Sequence, residues 1–152
     1  MKIGVISDTH GLVRPEAQRA LAGVEQIIHA GDIGGPEVLA ELAGVAPVTA
    51  VTGNVDQGQP WAAEIPSQAW FEVGGWRVLL LHDEKQIAPD QWAKPVDLVI
   101  SGHSHRPHWR QSDGVSWLNP GSAGRRRFSL PVCLALVELT VGEILVDQVE
   151  LV

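Results

Sequence analysis

Seven residues able to ligate a metal stand at five places along the chain: Asp8 with His10, Asp32, Asn54, His82, and His103 with His105. Two aspartates, one asparagine and four histidines exceed what one ion takes up. Two ions sharing one carboxylate would use all seven. Mixed imidazole and carboxylate ligation suits Mn, Fe, Zn, Ni or Co better than Ca or Mg, which prefer oxygen alone. Two such ions ~3.5–4 Å apart form the clamp used to hydrolyse phosphate esters.

The elements that must position these residues are legible around them. Each group follows a short apolar run: Ile3–Ile6, Gln26–His29, Val48–Val51, Trp76–Leu81 and Leu98–Ser101. In open α/β sheets, ligands bind outside the carboxyl ends of the strands, so these runs read as strands aimed at one site. Asp8/His10 and His103/His105 are i, i+2 pairs, and in extended backbone both members of a pair point the same way. Gly31, Gly53 and Gly102 each precede a ligand, where a missing side chain lets the chain turn and keeps bulk away.

Between the strands, Pro15 opens a helix over Glu16–Ala22, and Pro36 opens another over Glu37–Ala43 that Gly44 ends. Strand, helix, strand, helix, strand predicts a parallel sheet. Ala69–Val73 and Trp76–Leu81 then flank Gly74-Gly75, a hairpin signal. A short helical turn is expected at Asp90–Ala93 and a strand at Val115–Leu118. Val132–Leu139 and Glu143–Val149 form a last hairpin about Val141-Gly142. The fold class is α/β with mixed sheets, two of them packed face to face with helices outside.

Composition narrows the function classes. The 152 residues fit one domain, 1–152, and are 45% hydrophobic and 19% charged, as in a folded globular chain. The net charge of −7 gives no global support for binding a long nucleic acid or an anionic membrane. Small phosphorylated substrates remain compatible, because bound cations would invert the local field. No apolar run approaches the ~20 residues that span a bilayer. The sequence begins without a signal-peptide pattern, and Cys133 is the only cysteine, so a reducing, cytoplasmic setting is expected. The oligomeric state is open, a homo-oligomer included.

Ser7-Asp8-Thr9-His10-Gly11, Gly31-Asp32, Gly53-Asn54-Val55-Asp56, Leu81-His82 and Gly102-His103-Ser104-His105, followed by Asn119-Pro120-Gly121-Ser122, occur in this order. The series resembles the motifs of the calcineurin-like metallophosphoesterases, and more narrowly the small single-domain phosphodiesterases of bacteria and archaea. It spans residues 7–122, and the ordered set is far more specific than any one motif. The resemblance implies a four-layer α/β/β/α sandwich. It also implies one metal held by Asp8, His10, Asp32 and His105, and a second held by Asp32, Asn54, His82 and His103. Asp32 would bridge the ions together with a water or hydroxide, and that hydroxide would attack phosphorus. Manganese is the first candidate, with Ni, Co, Zn or Fe as alternatives. Asp32, Asn54 and His103 are the expected catalytic residues.

The chain departs from the pattern in two places. Family members often read His-Gly-His where this chain has His82-Asp83-Glu84, which changes the polarity around the ligand. Relatives acting on many monoesters carry His after the Asn of the third motif, where this chain has Val55. The small phosphodiesterases lack that His too, so Val55 favours the narrower assignment.

Other residues weigh less. His29 reads as structural or as a support behind the ligands, and His108 as an exposed loop residue. The tryptophans read as core and loop anchors. Arg125-Arg126-Arg127 is an ordinary solvated charge run, yet several relatives place a basic residue at the spacing of Arg127, which makes it a candidate for substrate phosphate. Three rival functions come into view. A retromer coat subunit shares the implied fold and serves mainly as a binding platform, but the intact ligand set favours catalysis. Val55 and the small size argue against a phosphomonoesterase or protein phosphatase. The acidic charge argues against a nuclease.

Overall fold

The computed structural model describes residues 1–152. Ten strands form two five-stranded mixed sheets. The first is built from β1 (Lys2–Ile6), β2 (Gln26–His29), β3 (Val48–Ala50), β9 (Cys133–Thr140) and β10 (Glu143–Glu150), in the order β10-β9-β1-β2-β3. β1, β2 and β3 run parallel, and β9 and β10 extend the sheet antiparallel. The second contains β4 (Gln68–Val73), β5 (Trp76–Leu81), β6 (Leu98–Ile100), β7 (His108–Ser112) and β8 (Val115–Asn119), in the order β4-β5-β6-β8-β7. Its three central strands are parallel and its edges antiparallel.

Period-two alternation sends each strand's residues into different layers. Ile3, Val5, Ile28, Val78, Leu80, Leu98, Ile100, Leu118, Ala135 and Val137 meet between the sheets. Ile6, Ile27 and Leu134 face the other way, onto the helices α1 (Pro15–Ala20) and α2 (Pro36–Ala43), which contribute Ala17, Val38 and Leu42. Each fully buried Leu or Ile contributes roughly 1.5–3 kcal/mol. Both helices start on proline with Glu16 or Glu37 in the first turn, where a carboxylate complements the exposed N–H groups. α1 stops at Ala20, two residues earlier than expected, as Ala22 and Gly23 turn toward β2.

The four layers follow the expected order, but the outer layer on the second sheet is thin. Leu79, Leu81, Val99 and Trp117 are covered by Ile87, Trp92 and Val96, not by an α-helix. Only two 3₁₀ turns, Glu84–Gln86 and Pro89–Gln91, occur in that segment, the latter where the helical turn at Asp90–Ala93 is expected. β7 is unanticipated. His108 opens it and is half-buried against β8, so it is a strand residue and not a loop residue.

Candidate metal centre

The carboxyl ends of the parallel strands of both sheets meet at one edge of the sandwich. The loops there are zipped together by backbone bonds. Asp8, His10 and Gly11 N–H groups donate to the Gly31, Asp32 and Ile33 carbonyls at 2.8–3.0 Å, and Gly102 N–H donates to His82 O at 2.8 Å. Asp8, His10 and Asp32 come from the first sheet, and His82 and His105 from the second. They form two overlapping groups with facing ligand atoms, Asp8–His10–His105 and Asp8–Asp32–His82.

Each buried carboxylate has one oxygen anchored and the other aimed at imidazoles. Asp8 Oδ2 accepts from Ser7 Oγ at 2.7 Å and from His103 N–H at 3.1 Å. Asp8 Oδ1 faces the Nε2 atoms of His105, His82 and His10 at 3.4, 3.8 and 3.9 Å. Asp32 Oδ1 accepts from Val55 N–H at 3.1 Å, while Oδ2 faces His82 and His10 Nε2 at 3.3 and 3.5 Å. Both aspartates therefore stand between His10 and His82.

These separations are long for hydrogen bonds. They suit ligands of a shared cation, since two donors each ~2.1 Å from one ion at a tetrahedral angle lie ~3.4 Å apart. Asp8 Oδ1, His10 Nε2, His82 Nε2 and His105 Nδ1 are buried and have no hydrogen-bond partner. Such orphaned atoms cost roughly 1–3 kcal/mol each unless something compensates them. The His82 tautomer is fixed, because Nδ1–H donates to Ala30 O at 2.8 Å, so neutral His82 points an Nε2 lone pair at two carboxylates. A divalent cation resolves that conflict, and the donor set fits one.

Burial and neighbouring charges pull the ionisable groups of the site in opposite directions. Burial raises the Asp8 pKa above the usual carboxylate value, against the opposing pull of His82 and Ser7. Burial also acts upward on Asp32, but the close approach of the His82 imidazole and the Val55 N–H hold it well below the ordinary range. His82 is raised: burial opposes its charged form, and Asp32, Asp8 and the Ala30 carbonyl outweigh it. His105 is lowered, chiefly by burial, with Arg127 among the nearby charges that add to the effect.

The paired ligands converge by a route the sequence did not show. Asp8, His10, Asp32, His103 and His105 all have positive φ, between 47° and 71°, so neither i, i+2 pair is extended. Asp and His tolerate the left-handed region better than most residues, yet it costs of order 1–3 kcal/mol each. Two glycines make room for the carboxylates. A Cβ on Gly53 would overlap Asp32 Oδ1, and one on Gly102 would overlap Ser7 Oγ and Asp8 Oδ2.

Asn54 and His103 stand outside the two groups. Asn54 is exposed and lines a 240 Å³ pocket with His82, Asp83 and Gln86. The half-exposed His103 packs edge-on against the His82 ring at 5.2 Å and turns Nε2 toward Asp83. Arg127 is exposed on the loop beyond Gly124, whose own position against the Asp8 and Thr9 carbonyls ties that loop to the site wall.

Three supports escaped the sequence reading or were only glimpsed there. Asp56 is fully buried and accepts the N–H groups of Ile33, Gly34 and Gly53 at 2.9 Å, binding the second ligand loop to the third. Asn119 donates to Gly102 O at 2.9 Å and Ser104 Oγ at 3.1 Å, and accepts Gly121 N–H at 2.9 Å, an Asx turn that braces the histidine loop. Both lie inside quoted motifs, each with a glycine two or three residues away, which was the available signal. His29 is fully buried between Thr9 Oγ1 at 2.9 Å and Gly31 N–H at 3.1 Å, and burial drops its pKa to about 3. It is a neutral strut behind the ligands.

Residues 1–142 match the calcineurin-like phosphoesterase superfamily domain. A probable metallophosphoesterase of Methanothermobacter thermautotrophicus is 39% identical over 148 residues, covering 90% of this chain and 85% of that protein. The chain thus belongs to the calcineurin-like phosphoesterase superfamily. A phosphodiesterase of Methanocaldococcus jannaschii is 29% identical over 139 residues, covering 80% of this chain and 83% of that protein. Among solved structures, an archaeal phosphodiesterase superimposes with a TM-score of 0.80 at 23% identity, over 98% of this chain and all of that one. Vps29 of Entamoeba histolytica complexed with Zn²⁺ shares the fold at a TM-score of 0.72 and 23% identity, over the full length of both chains. The family binds divalent metals and hydrolyses phosphoric esters.

Proposed function

We propose that the protein is a two-metal phosphodiesterase acting on small phosphodiesters. The observation that carries this reading is the pair of half-anchored carboxylates, Asp8 and Asp32, each turning its other oxygen to a cluster of histidines. Asp8, His10, Asp32 and His105 would hold one ion, and Asp32, Asn54, His82 and His103 the other. Manganese is the first candidate. When bound, the cations would supply a hydroxide nucleophile near neutral pH and neutralise phosphoryl charge.

The chain's own residues do the rest. Asp32 orients both halves of the site through one carboxylate, itself held by the Val55 N–H. His103 and Asn54 line the exposed side, where a phosphoryl group enters. Arg127, near enough for its charge to bear on His105, would draw the substrate's non-bridging oxygens. Val55, next to Asn54 in the chain, is 44% exposed and has no proton to donate. His29 cannot protonate a leaving group, because it is fully buried behind Thr9. A poor alkoxide leaving group therefore lacks a placed acid, which is typically worth ~10²–10⁴-fold.

The test compares kcat/KM for an aryl diester, an aryl monoester and an alkyl monoester in wild type and in Val55→His. The aryl diester should lead, and Val55→His should shift preference toward monoesters. A wild type fastest on the alkyl monoester refutes the reading.

The Vps29 likeness brings a second reading, a protein-binding platform. Ligand integrity favours catalysis over it, since Asp8, His10, Asp32, Asn54, His82, His103 and His105 are all present.

A further inference from the structure

The chain's departure at His82-Asp83-Glu84 puts a carboxylate where family members often have glycine, and the fold gives it a partner. Asp83 Oδ2 lies 3.7 Å from His103 Nε2. That is ~0.8 Å beyond a good hydrogen bond, so the carboxylate acts on the Nε2–H of the neutral ring through its charge. A charged contact at the surface ordinarily counts for little. This one is unusual in how its members are held.

Asp83 caps the 3₁₀ turn Glu84–Gln86. Its Oδ1 accepts Lys85 N–H at 3.0 Å, and its own N–H donates to Gln86 Oε1 at 2.9 Å. The two carboxylate oxygens therefore have separate tasks, and the capping bond fixes the direction of the free one. His103 is restrained too. Its N–H donates to Asp8 Oδ2, and its ring lies edge-on to the ring of His82, the residue before Asp83.

We propose that Asp83 is a positioning residue for the second metal site: it holds the proton of His103 on Nε2 and leaves the Nδ1 lone pair for the cation. A carboxylate behind a ligating imidazole fixes its tautomer, orients the ring and raises its basicity, and loss of such a partner typically costs 10–100-fold in metal affinity. This chain supplies that partner from the residue following another ligand, so one short segment, His82-Asp83, serves two of the ligands assigned to the second site. The first site has no contact with Asp83.

The inference rests on the two-metal reading, and the test separates the two. Metal-free protein is titrated with Mn²⁺ by calorimetry in wild type, Asp83→Ser and Asp83→Asn. Serine keeps an N-cap but is too short to reach His103, and asparagine keeps a neutral acceptor. Wild type should bind two ions. Asp83→Ser should bind one of the two ions ~10–100-fold less tightly and the other within about twofold of wild type. Asp83→Asn should fall between. The melting temperature of the metal-free form should move by no more than ~2 °C, as for an exposed pair. Unchanged affinities in Asp83→Ser, or equal loss at both sites, overturn the inference and leave the two-metal reading standing. A wild type binding a single ion overturns both.

Discussion

The two ends of the sandwich solve the same backbone problem differently. At the end away from the ligands, hairpins turn at Gly74-Gly75, Asp113-Gly114 and Val141-Gly142, and glycine takes most of the positive φ angles. At the ligand end, Asp8, His10, Asp32, His103 and His105 take them alongside Gly11, Gly31, Gly34 and Gly121. Glycine adopts that conformation without penalty, whereas Asp and His pay for it. Cavity size runs the other way. The larger cleft, about 620 Å³, lies at the hairpin end, lined by Trp76, Trp109, Asp113 and Glu143 among others. The orphaned carboxylate and imidazole atoms lie at the ligand end. Strain and unmet polarity mark the chemistry here, and volume does not.

The largest contrast should appear in activity. Asp32→Ala should lower kcat/KM by ~10³-fold or more, about 4 kcal/mol of transition-state stabilisation. Glu143→Ala, in the larger cleft, should stay within about twofold of wild type. Side-by-side kinetics on an aryl diester decide this. Comparable losses would mean that the cleft takes part in the reaction.

The next contrast is in pH dependence. His29 has its pKa depressed to about 3, so the folded form stays neutral while the unfolded form takes up a proton below about 6.5. Its contribution to stability is complete above that value and is lost as pH falls toward 3. Linkage puts the loss at a few kcal/mol. Urea unfolding of the metal-free protein at pH 7.5, 5.5 and 4.5 should show wild type losing stability faster than His29→Gln. Parallel slopes would refute the assignment of His29 as a neutral strut.

A smaller effect tests the strain itself. His103→Gly relieves a φ of 71° at a half-exposed residue and should stabilise the metal-free chain by ~1 kcal/mol while weakening metal binding. Gly142→Ala forces φ 82° on a side chain with nothing near it and should destabilise by ~1 kcal/mol without touching activity. Thermal melts and one activity assay suffice. A destabilised His103→Gly would contradict the cost assigned to the ligand loops.

Much of this was legible because apolar runs ending at a ligand residue or a glycine are a strong signal. β1, β2, β5, β6 and β9 carry continuous or alternating burial and sit within a residue or two of expectation. β7, His-Trp-Arg-Gln-Ser, was not legible, because an edge strand with an exposed outer half has no apolar run. The thin outer layer was also hidden: Ile87 and Trp92 cover the second sheet without helical periodicity. At the site, residue types and order pointed to the ligands, while the left-handed turns that gather them did not show. Nothing in Asp-x-His distinguishes an extended backbone from a strained one. Nor did sequence spacing reveal that Asp8 as well as Asp32 stands between His10 and His82.

The most direct test of the central claim is anomalous scattering from crystals soaked in manganese. Two peaks per chain are expected, one beside Asp8, His10 and His105 and the other beside Asp32 and His82, both absent or weakened in Asp32→Ala. No peak near Asp8 and Asp32, or a single peak that persists in Asp32→Ala, would contradict a two-metal centre built on a shared carboxylate.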